Sequence, residues 1–322
     1  AMISVTGDGT TIPEVQSNDA SSNAELIINA ADREFSSDTG FWSKSAQVTI
    51  GSGVCNIKST DGSAQYIEKA ITTPGKTYKI QLDIVANRGG SLRLNSLTNQ
   101  LQFDSTIGTK VLYFKADGSL ISIVRQTSPT DIDIDNISIK ECGWADAQAI
   151  YDYYISVGKS VLEATKAAAM WCKYNNSDDN AAVYGYLYNW WAVYLIWLNP
   201  PKGWRVPMEA DYSQLGATIG GTSIAGGKLK FAGLTYWAAP NTGATNESGF
   251  SGLGSGRRSD TGGFDLIGSY GYIWNISQLS TSLGKNIYLD KSATELTLTN
   301  SPKVRGYSLR LLRNAPVGEQ FE

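Results

Sequence analysis

The segment Trp190–Leu198 reads Trp-Trp-Ala-Val-Tyr-Leu-Ile-Trp-Leu, an uncharged run closed by Asn199-Pro200-Pro201. Its apolar residues do not alternate with polar ones, so it must be dry on most sides or lie between layers. It is far shorter than the ~20 apolar residues of a membrane-spanning helix. A chain carrying such a run therefore has to build a core around it. Burying one large apolar side chain contributes about 1.5–3 kcal/mol, enough for this segment to anchor a domain otherwise rich in loops. Trp190, Trp191, Trp197 and Trp204 are accordingly read as core.

The chain has 322 residues, more than one hydrophobic core usually serves, so two domains are expected. Only Trp42 of nine tryptophans, and three of seventeen tyrosines, precede residue 143, so the two parts are built differently. With 27 basic and 30 acidic residues the net charge is −3. That balance gives no field to gather a polyanion, which argues against nucleic acid or anionic membrane as partners. Histidine is absent, removing the usual neutral-pH base and the commonest metal ligand. Cys55, Cys142 and Cys172 form no close pair and read as buried free thiols. The first residues show neither a basic nor an apolar signal region, so no secretory signal is expected in this sequence.

Between Ala24 and Cys142, short alternating runs such as "KTYKIQLDIVANRGG", "KVLYFKADGS" and "TDIDIDNISIKE" are split by turn residues, as in an all-β sandwich. In the last run a period of two puts Asp131, Asp133 and Asp135 on one face and Ile132 and Ile134 on the other. That acidic face is either simply hydrated or holds a structural calcium ion at Asp135 with oxygens from another segment. The order of these runs resembles jelly-roll modules of the carbohydrate-binding kind, which implies a fold more than a sugar. Trp42 is read as core rather than as a sugar-stacking platform.

Residues 144–172 carry helix formers without proline, with Ile150, Tyr154, Val157, Val161 and Leu162 near helical spacing. Gly158 is expected to divide them into two short helices. The organisation expected is an arm (1–23), a jelly-roll β-sandwich (24–142), a helical connector (143–173), a second domain (174–316) and a tail (317–322). In the second domain "MEADYSQLGATIG" reads as a short helix with Tyr212 and Leu215 inward, and "KGWRVP" as an extended segment feeding it.

The blocks "YGYLYNWWAV", "PKGWRVPMEADYSQL", "GGKLKFAG", "YWAAPNTGATNESGFSGLGSGRR", "GGFDLIGSYGYIWN" and "RGYSLRLLRN" follow in order. Together they resemble the Fibrobacter succinogenes major paralogous (FISUMP) domain, which implies a C-type-lectin-like α+β fold. The whole chain is thus expected to be multidomain, β and α+β. Similar domains occur in gut bacterial surface proteins, in phage tail proteins and among the variable proteins of diversity-generating retroelements. The resemblance places the rewritten segment at about residues 257–313. It implies a recognition face of Arg257, Arg258, Asp260, Asp265, Ser269, Tyr270, Tyr272, Ile273, Asn275, Ser277, Gln278, Asn286, Tyr288 and Tyr307. Tyrosine with small polar residues suits recognition, giving large contact area at little entropy loss together with adaptable hydrogen bonds. The family's frequent cysteine in the last block is here Leu311, and Arg310 is expected to point away from its leucine neighbours toward a carboxylate.

No catalysis is expected, since no spacing singles out a pair among Glu209, Asp211, Glu247, Asp260 and Asp265. No cofactor is expected beyond the calcium alternative. The resemblance implies a receptor-binding component of a phage tail or fibre, located on the virion, that recognises a protein or polysaccharide of a bacterial surface. The alternative is an adhesin or glycan-binding protein on the bacterial surface. Neither membrane insertion nor nucleic-acid binding is expected. A homo-oligomer is, a trimer by preference, in contact through 144–172.

Overall fold

The computed structural model describes residues 24–96 and 99–313, and of Asn99 the backbone alone. The expected arm and tail lie outside the described residues. The chain divides into two units, one of Ser22–Cys142 and the other including everything from Gly143 onward.

The first unit is a β-sandwich. Its strands are β1 (Ser43–Lys44), β2 (Val48–Gly51), β3 (Val54–Ser59), β4 (Tyr66–Ala70), β5 (Thr77–Gly89), β6 (Leu92–Ser96), β7 (Asn99–Gln102), β8 (Gly108–Lys115), β9 (Leu120–Arg125) and β10 (Thr130–Glu141). They form two five-stranded sheets in the orders β1-β4-β9-β6-β7 and β2-β3-β10-β5-β8. Ile67, Leu92, Leu94, Ile121 and Ile123 from the first and Ile57, Ile80, Leu82, Ile84 and Ile134 from the second are buried, as alternation requires of the inner faces of a sandwich.

β10 carries a register shift between Asp135 and Ser138 in its pairing with β5, where Asn136 adopts a φ of 50°. One inserted residue moves the inward positions from Ile132 and Ile134 to Ile137 and Ile139, all four buried. Trp42 is buried as well, its indole N–H donating to the Asp32 carbonyl at 3.0 Å.

The second unit takes in the chain from Gly143, where the aromatic composition changes, and so includes residues 143–173 ahead of the second domain expected at 174–316. Helices α1 (Ala147–Ser156) and α2 (Val161–Ala168) are separated at Gly158, whose φ of 78° halts the helix. They belong to this unit and are not a free connector. The anchor is Trp144, fully buried, whose indole lies 4.6 Å from the Arg258 guanidinium. Of the residues at helical spacing, Ile150 is buried, whereas Val157, Val161 and Leu162 are exposed.

Three further elements lead into the sheet: α3 (Asp178–Tyr184), α4 (Trp190–Leu198) and the pair β11 (Trp171–Lys173) and β12 (Tyr186–Tyr188). Helix α4 is the apolar run of the sequence, and it is apolar all round because most of it is enclosed. Asn189 caps it, and its buried side chain accepts from Ala192 N at 3.1 Å and Met170 N at 3.0 Å while donating to the Ala168 carbonyl at 2.7 Å.

β13 (Trp204–Arg205) follows, then α5 (Glu209–Thr218) and α6 (Thr222–Leu229). The sheet is built from β14 (Ser255–Arg258), β15 (Phe264–Ile267), β16 (Tyr270–Gln278), β17 (Leu283–Asp290), β18 (Leu296–Pro302) and β19 (Ser308–Leu309), while β20 (Leu312–Arg313) pairs with β13. One face of the sheet presents Ile273, Ile287, Leu289 and Leu296 to Tyr212, Ala225, Leu229 and Trp237.

The paired glycines of "GGKLKFAG" lie within α6 and allow other backbone to touch the helix. A Cβ on Gly226 would sit 2.0 Å from the Glu295 carbonyl oxygen, and one on Gly227 would sit 2.4 Å from that of Gly243. Alanine ordinarily favours a helix over glycine by about 1 kcal/mol; here the close approach outweighs that preference. Gly226→Ala should therefore destabilise the second unit by about 1–3 kcal/mol. Denaturant unfolding followed by tryptophan fluorescence would detect it, since eight of the nine tryptophans lie beyond residue 142.

Candidate functional site

The second face of the sheet is the polar one. Along β16 the side chains of Tyr270, Tyr272 and Trp274 share a side, and antiparallel pairing brings Tyr272 opposite Tyr288 and Trp274 opposite Asn286. Tyr288 in turn stands opposite Thr297, and Asn286 opposite Thr299. The rings of Tyr270 and Tyr272 are stacked at 5.5 Å, and Tyr288 lies 5.8 Å and 5.7 Å from them. Beneath them, buried Tyr307 stacks on Tyr272 at 4.7 Å and lies tilted against Trp274 at 4.5 Å, and its hydroxyl lies 2.9 Å from Ser301 Oγ. The result is a graded aromatic stack, dry at Trp274 and half-exposed at Tyr270 and Tyr288.

Arg257 and Asp265 are cross-strand partners of β14 and β15, joined through Nε–Oδ1 at 2.8 Å and Nη2–Oδ2 at 3.2 Å. This two-pronged geometry fixes the guanidinium plane, which lies 5.8 Å from the Tyr272 ring. Asp290 raises the pKa of the Tyr270 hydroxyl by its charge. Burial, followed by the neighbouring Tyr307, raises that of Tyr272. Both tyrosines are thus neutral around pH 7 and can donate as well as accept hydrogen bonds.

The fourteen residues expected to form one recognition face divide sharply. Arg257, Asp265, Tyr270, Tyr272 and Tyr288 come together, with Tyr272 at the edge of burial. Six of the expected residues are buried: Arg258, Tyr272, Ile273, Asn275, Asn286 and Tyr307. Ile273 belongs to the opposite, core face. Asn275 sits where the β16–β17 register breaks, its side-chain oxygen accepting from Ser277 N at 3.0 Å. Arg258 lies 4.6 Å from the Trp144 ring and 5.0 Å from that of Phe264, donating to the Gly262 carbonyl at 2.9 Å.

Ser277 accepts from Glu209 N at 3.1 Å at the start of α5, and Gln278 accepts from Lys303 at 2.6 Å, so both serve the scaffold at the far end of β16. The Ser269 carbonyl accepts from Lys291 N, and Asp260 lies in the β14–β15 turn, 3.8 Å from Arg305. Of the expected fourteen, Asn275 is withdrawn into the interior, and the aromatic surface that remains is built from Tyr270, Tyr272 and Tyr288. Thr297 and Thr299 belong to it and were missed. The alternation of "ELTLTN" signals their strand, but only the pairing of β17 with β18 places them beside the tyrosines.

Other expectations change too. Arg310 does not meet a carboxylate; it donates to the carbonyls of Phe250 at 2.7 Å and Ser251 at 2.9 Å. Trp197 and Trp204 are not core, being 38% and 42% exposed. In the first unit Asp131 pairs with Lys58 and Arg88, and Asp133 with Arg88, while Asn56 donates to both, so the acidic face is largely neutralised. Burial raises the pKa of Asp135, which accepts from the Asn136 backbone. Among the described residues no group of three or more His, Cys, Asp or Glu side chains is disposed to hold a metal ion. The five carboxylates weighed for catalysis each have a cationic neighbour: Glu209 has Lys285, Asp211 has Arg205, Glu247 has Lys228, Asp260 has Arg305 and Asp265 has Arg257.

The chain is thus a two-unit protein, a β-sandwich followed by an α+β unit with an aromatic sheet face. The Fibrobacter succinogenes major domain matches residues 139–313, and the chain belongs to that family. The match begins ahead of α1, in keeping with the inclusion of both early helices in the second unit. A comparison with curated proteins gives no match.

Among solved structures, the chain is similar to the enzymatically active domain of bacteriophage CBA120 tailspike protein 4, at 12% identity over 37% of this chain and 21% of that one, with a TM-score of 0.28. It is also similar to the N-terminal xylanase 10B modules of Clostridium thermocellum, at 16% identity over 41% and 31%, with a TM-score of 0.28. A third is the xylan-binding domain of Paenibacillus barcinonensis, at 12% identity over 34% and 92%, with a TM-score of 0.27. The chain spans less than a third of the first two, and at these scores none of the three assigns it a fold or a ligand.

Two outcomes test the division between scaffold and surface. Arg258→Ala and Tyr307→Ala should each lower stability by about 2 kcal/mol or more, whereas Asp260→Ala should stay within about 0.5 kcal/mol, as denaturation midpoints would show. The second concerns Lys303, which lies 4.0 Å from the Trp190 ring and which burial pulls from 10.5 to about 8. Its proton leaves the folded chain before it leaves the unfolded one, so the unfolded state holds more protons between 8 and 10.5. Stability must then rise with pH across that interval. Lys303→Met should flatten the rise, read from unfolding midpoints at its two ends.

Proposed function

We propose that this chain is a recognition protein whose second unit, a C-type-lectin-like domain, binds a ligand of a bacterial surface, as a receptor-binding component of a phage tail or fibre. The observation that carries the reading is the tyrosine face. Tyr270 is held by stacking on Tyr272, itself stacked on Tyr307, and Tyr288 by ring contacts with Tyr270 and Tyr272, so they lose little further freedom on binding, and Thr297 and Thr299 add small hydrogen-bonding groups beside them. Arg257 and Asp265 give the rim a fixed pair of opposite charges.

The positions open to replacement without disturbing the core are Asp260, Tyr270 and Tyr288, with Arg257 and Asp265 exchanged as a pair. A surface diversified in the manner of retroelement variable proteins would have to use these positions. The buried Arg258, Ile273, Asn275, Asn286 and Tyr307 are closed to such variation.

Association of several copies would let weak contacts combine through effective concentration. Ile155 and Val157 at the end of α1 and Val161 and Leu162 at the start of α2 offer an exposed apolar corner for it. We expect light scattering to give a trimer, and Val161→Glu with Leu162→Glu to give monomers. A monomeric parent chain at micromolar concentration would remove this part of the reading.

The recognition test is binding of purified protein to bacterial cells, with and without protease treatment and chelator. Tyr270→Ala combined with Tyr288→Ala should reduce binding at least tenfold, about 1.4 kcal/mol, while the thermal midpoint changes little. Full binding by that variant would place recognition elsewhere. An export signal encoded upstream, in place of neighbouring tail genes, would favour the bacterial-surface alternative.

A further inference from the structure

We propose that the second unit holds another ligand pocket, beside Trp204, that takes the pyranose ring of a neutral sugar. It shares no residue with the tyrosine face and does not depend on the reading given to that face. The pocket has a volume of about 620 Å³, and its walls include Tyr184, Tyr188, Trp204, Leu253, Leu309 and Arg310. This volume lies within the range of ~300–1,000 Å³ usual for small-ligand sites.

Trp204 is the first reason for the assignment. Trp190 and Trp191 are buried, yet Trp204 is left 42% exposed. Its backbone is held by pairing with Arg313 and by Trp204 N donating to the Pro201 carbonyl at 2.9 Å. The strand therefore presents the indole without needing it for the core. Leaving so large an apolar side chain half in water forgoes burial free energy, which a ligand stacked on it would recover.

The polar groups around the pocket are the second reason. Tyr184 meets Tyr236 edge-on at 6.3 Å, and burial, followed by Tyr236, raises the pKa of its hydroxyl, which therefore stays neutral and can donate or accept a hydrogen bond. Tyr184 is also the last residue of α3, and the final carbonyls of a helix have no intrahelical donor. Gly185 N serves the carbonyl of Ala181, and those of Ala182 and Val183 follow it at the pocket wall. The pocket thus combines an aromatic platform and an aliphatic floor with hydrogen-bond acceptors on one side.

A pyranose has the matching chemistry: an apolar face of C–H bonds and a rim of hydroxyls that donate. Other classes fit less well. A cation would meet Arg310 and no carboxylate in the wall. An anion would find the Arg310 guanidinium already donating to the Phe250 and Ser251 carbonyls and lying 4.6 Å from the Phe250 ring. An apolar peptide side chain would bury the α3 carbonyls without partners, at a cost of about 1–3 kcal/mol for each group.

The test uses the full chain and saturation-transfer NMR with the methyl α- and β-pyranosides of glucose, galactose, mannose and N-acetylglucosamine. At least one is expected to bind in the millimolar range. Trp204→Ala should weaken that binding by roughly tenfold, about 1.4 kcal/mol, with Trp204→Phe keeping part of it. Tyr184→Phe should weaken it by a smaller factor, while Tyr270→Ala leaves it unchanged. Thermal melts of every variant separate loss of the site from loss of the fold. The proposal is overturned if no pyranoside binds, if Trp204→Ala binds the sugar as tightly as the parent chain, or if acetyl-leucine amide binds where no sugar does.

Discussion

The second unit depends on one buried amide. Asn189 holds the start of α4 to the end of α2 and to Met170 at once, through both its oxygen and its nitrogen. An apolar helix has no polar side to orient it, so its placement must come from its ends. With its first turn fixed, Trp190 lies against Gly284, where a Cβ would stand 2.3 Å from the ring, and its indole N–H donates to the Asn275 carbonyl at 3.3 Å. The helix thereby sets where β16 and β17 run.

From those strands the polar face follows. Trp274 donates its indole N–H to the Tyr188 carbonyl at 2.8 Å, just ahead of the Asn189 cap, and Tyr307 exchanges backbone hydrogen bonds with Tyr188. The tyrosine stack is therefore built on the same segment that holds the apolar helix. Its outer members inherit rigidity from buried ones. Such a surface can be altered at its outer positions and still be presented in the same place, because the fold does not draw on those side chains.

Much of the fold was legible in the sequence because it rests on local rules. Alternation marked the strands of the sandwich, Gly158 marked the break between α1 and α2, and the acidic first turn of "MEADYSQL" marked α5 with Tyr212 inward. The apolar run told of burial, and block order told of the family. What misled was distance along the chain. Trp144 looked like part of a connector because its partner, Arg258, lies more than a hundred residues away. Trp204 looked like Trp190 because composition does not say which indole a strand turns outward.

The tyrosine face shows the same limit. The strand "GSYGYIWNIS" was found from sequence, but an extended strand has two faces and the text alone does not say which is covered. The register with β17 and β18, and the packing of Ile273 against α5 and α6, decided that Tyr270 and Tyr272 face outward while Ile273 faces in. The break at Asn275 then drew that residue into the interior. The sequence by itself determined the elements, the aromatic inventory and the family, since these depend on neighbours along the chain. Only the tertiary structure decided which polar and aromatic side chains meet water, because burial is set by segments far apart in sequence.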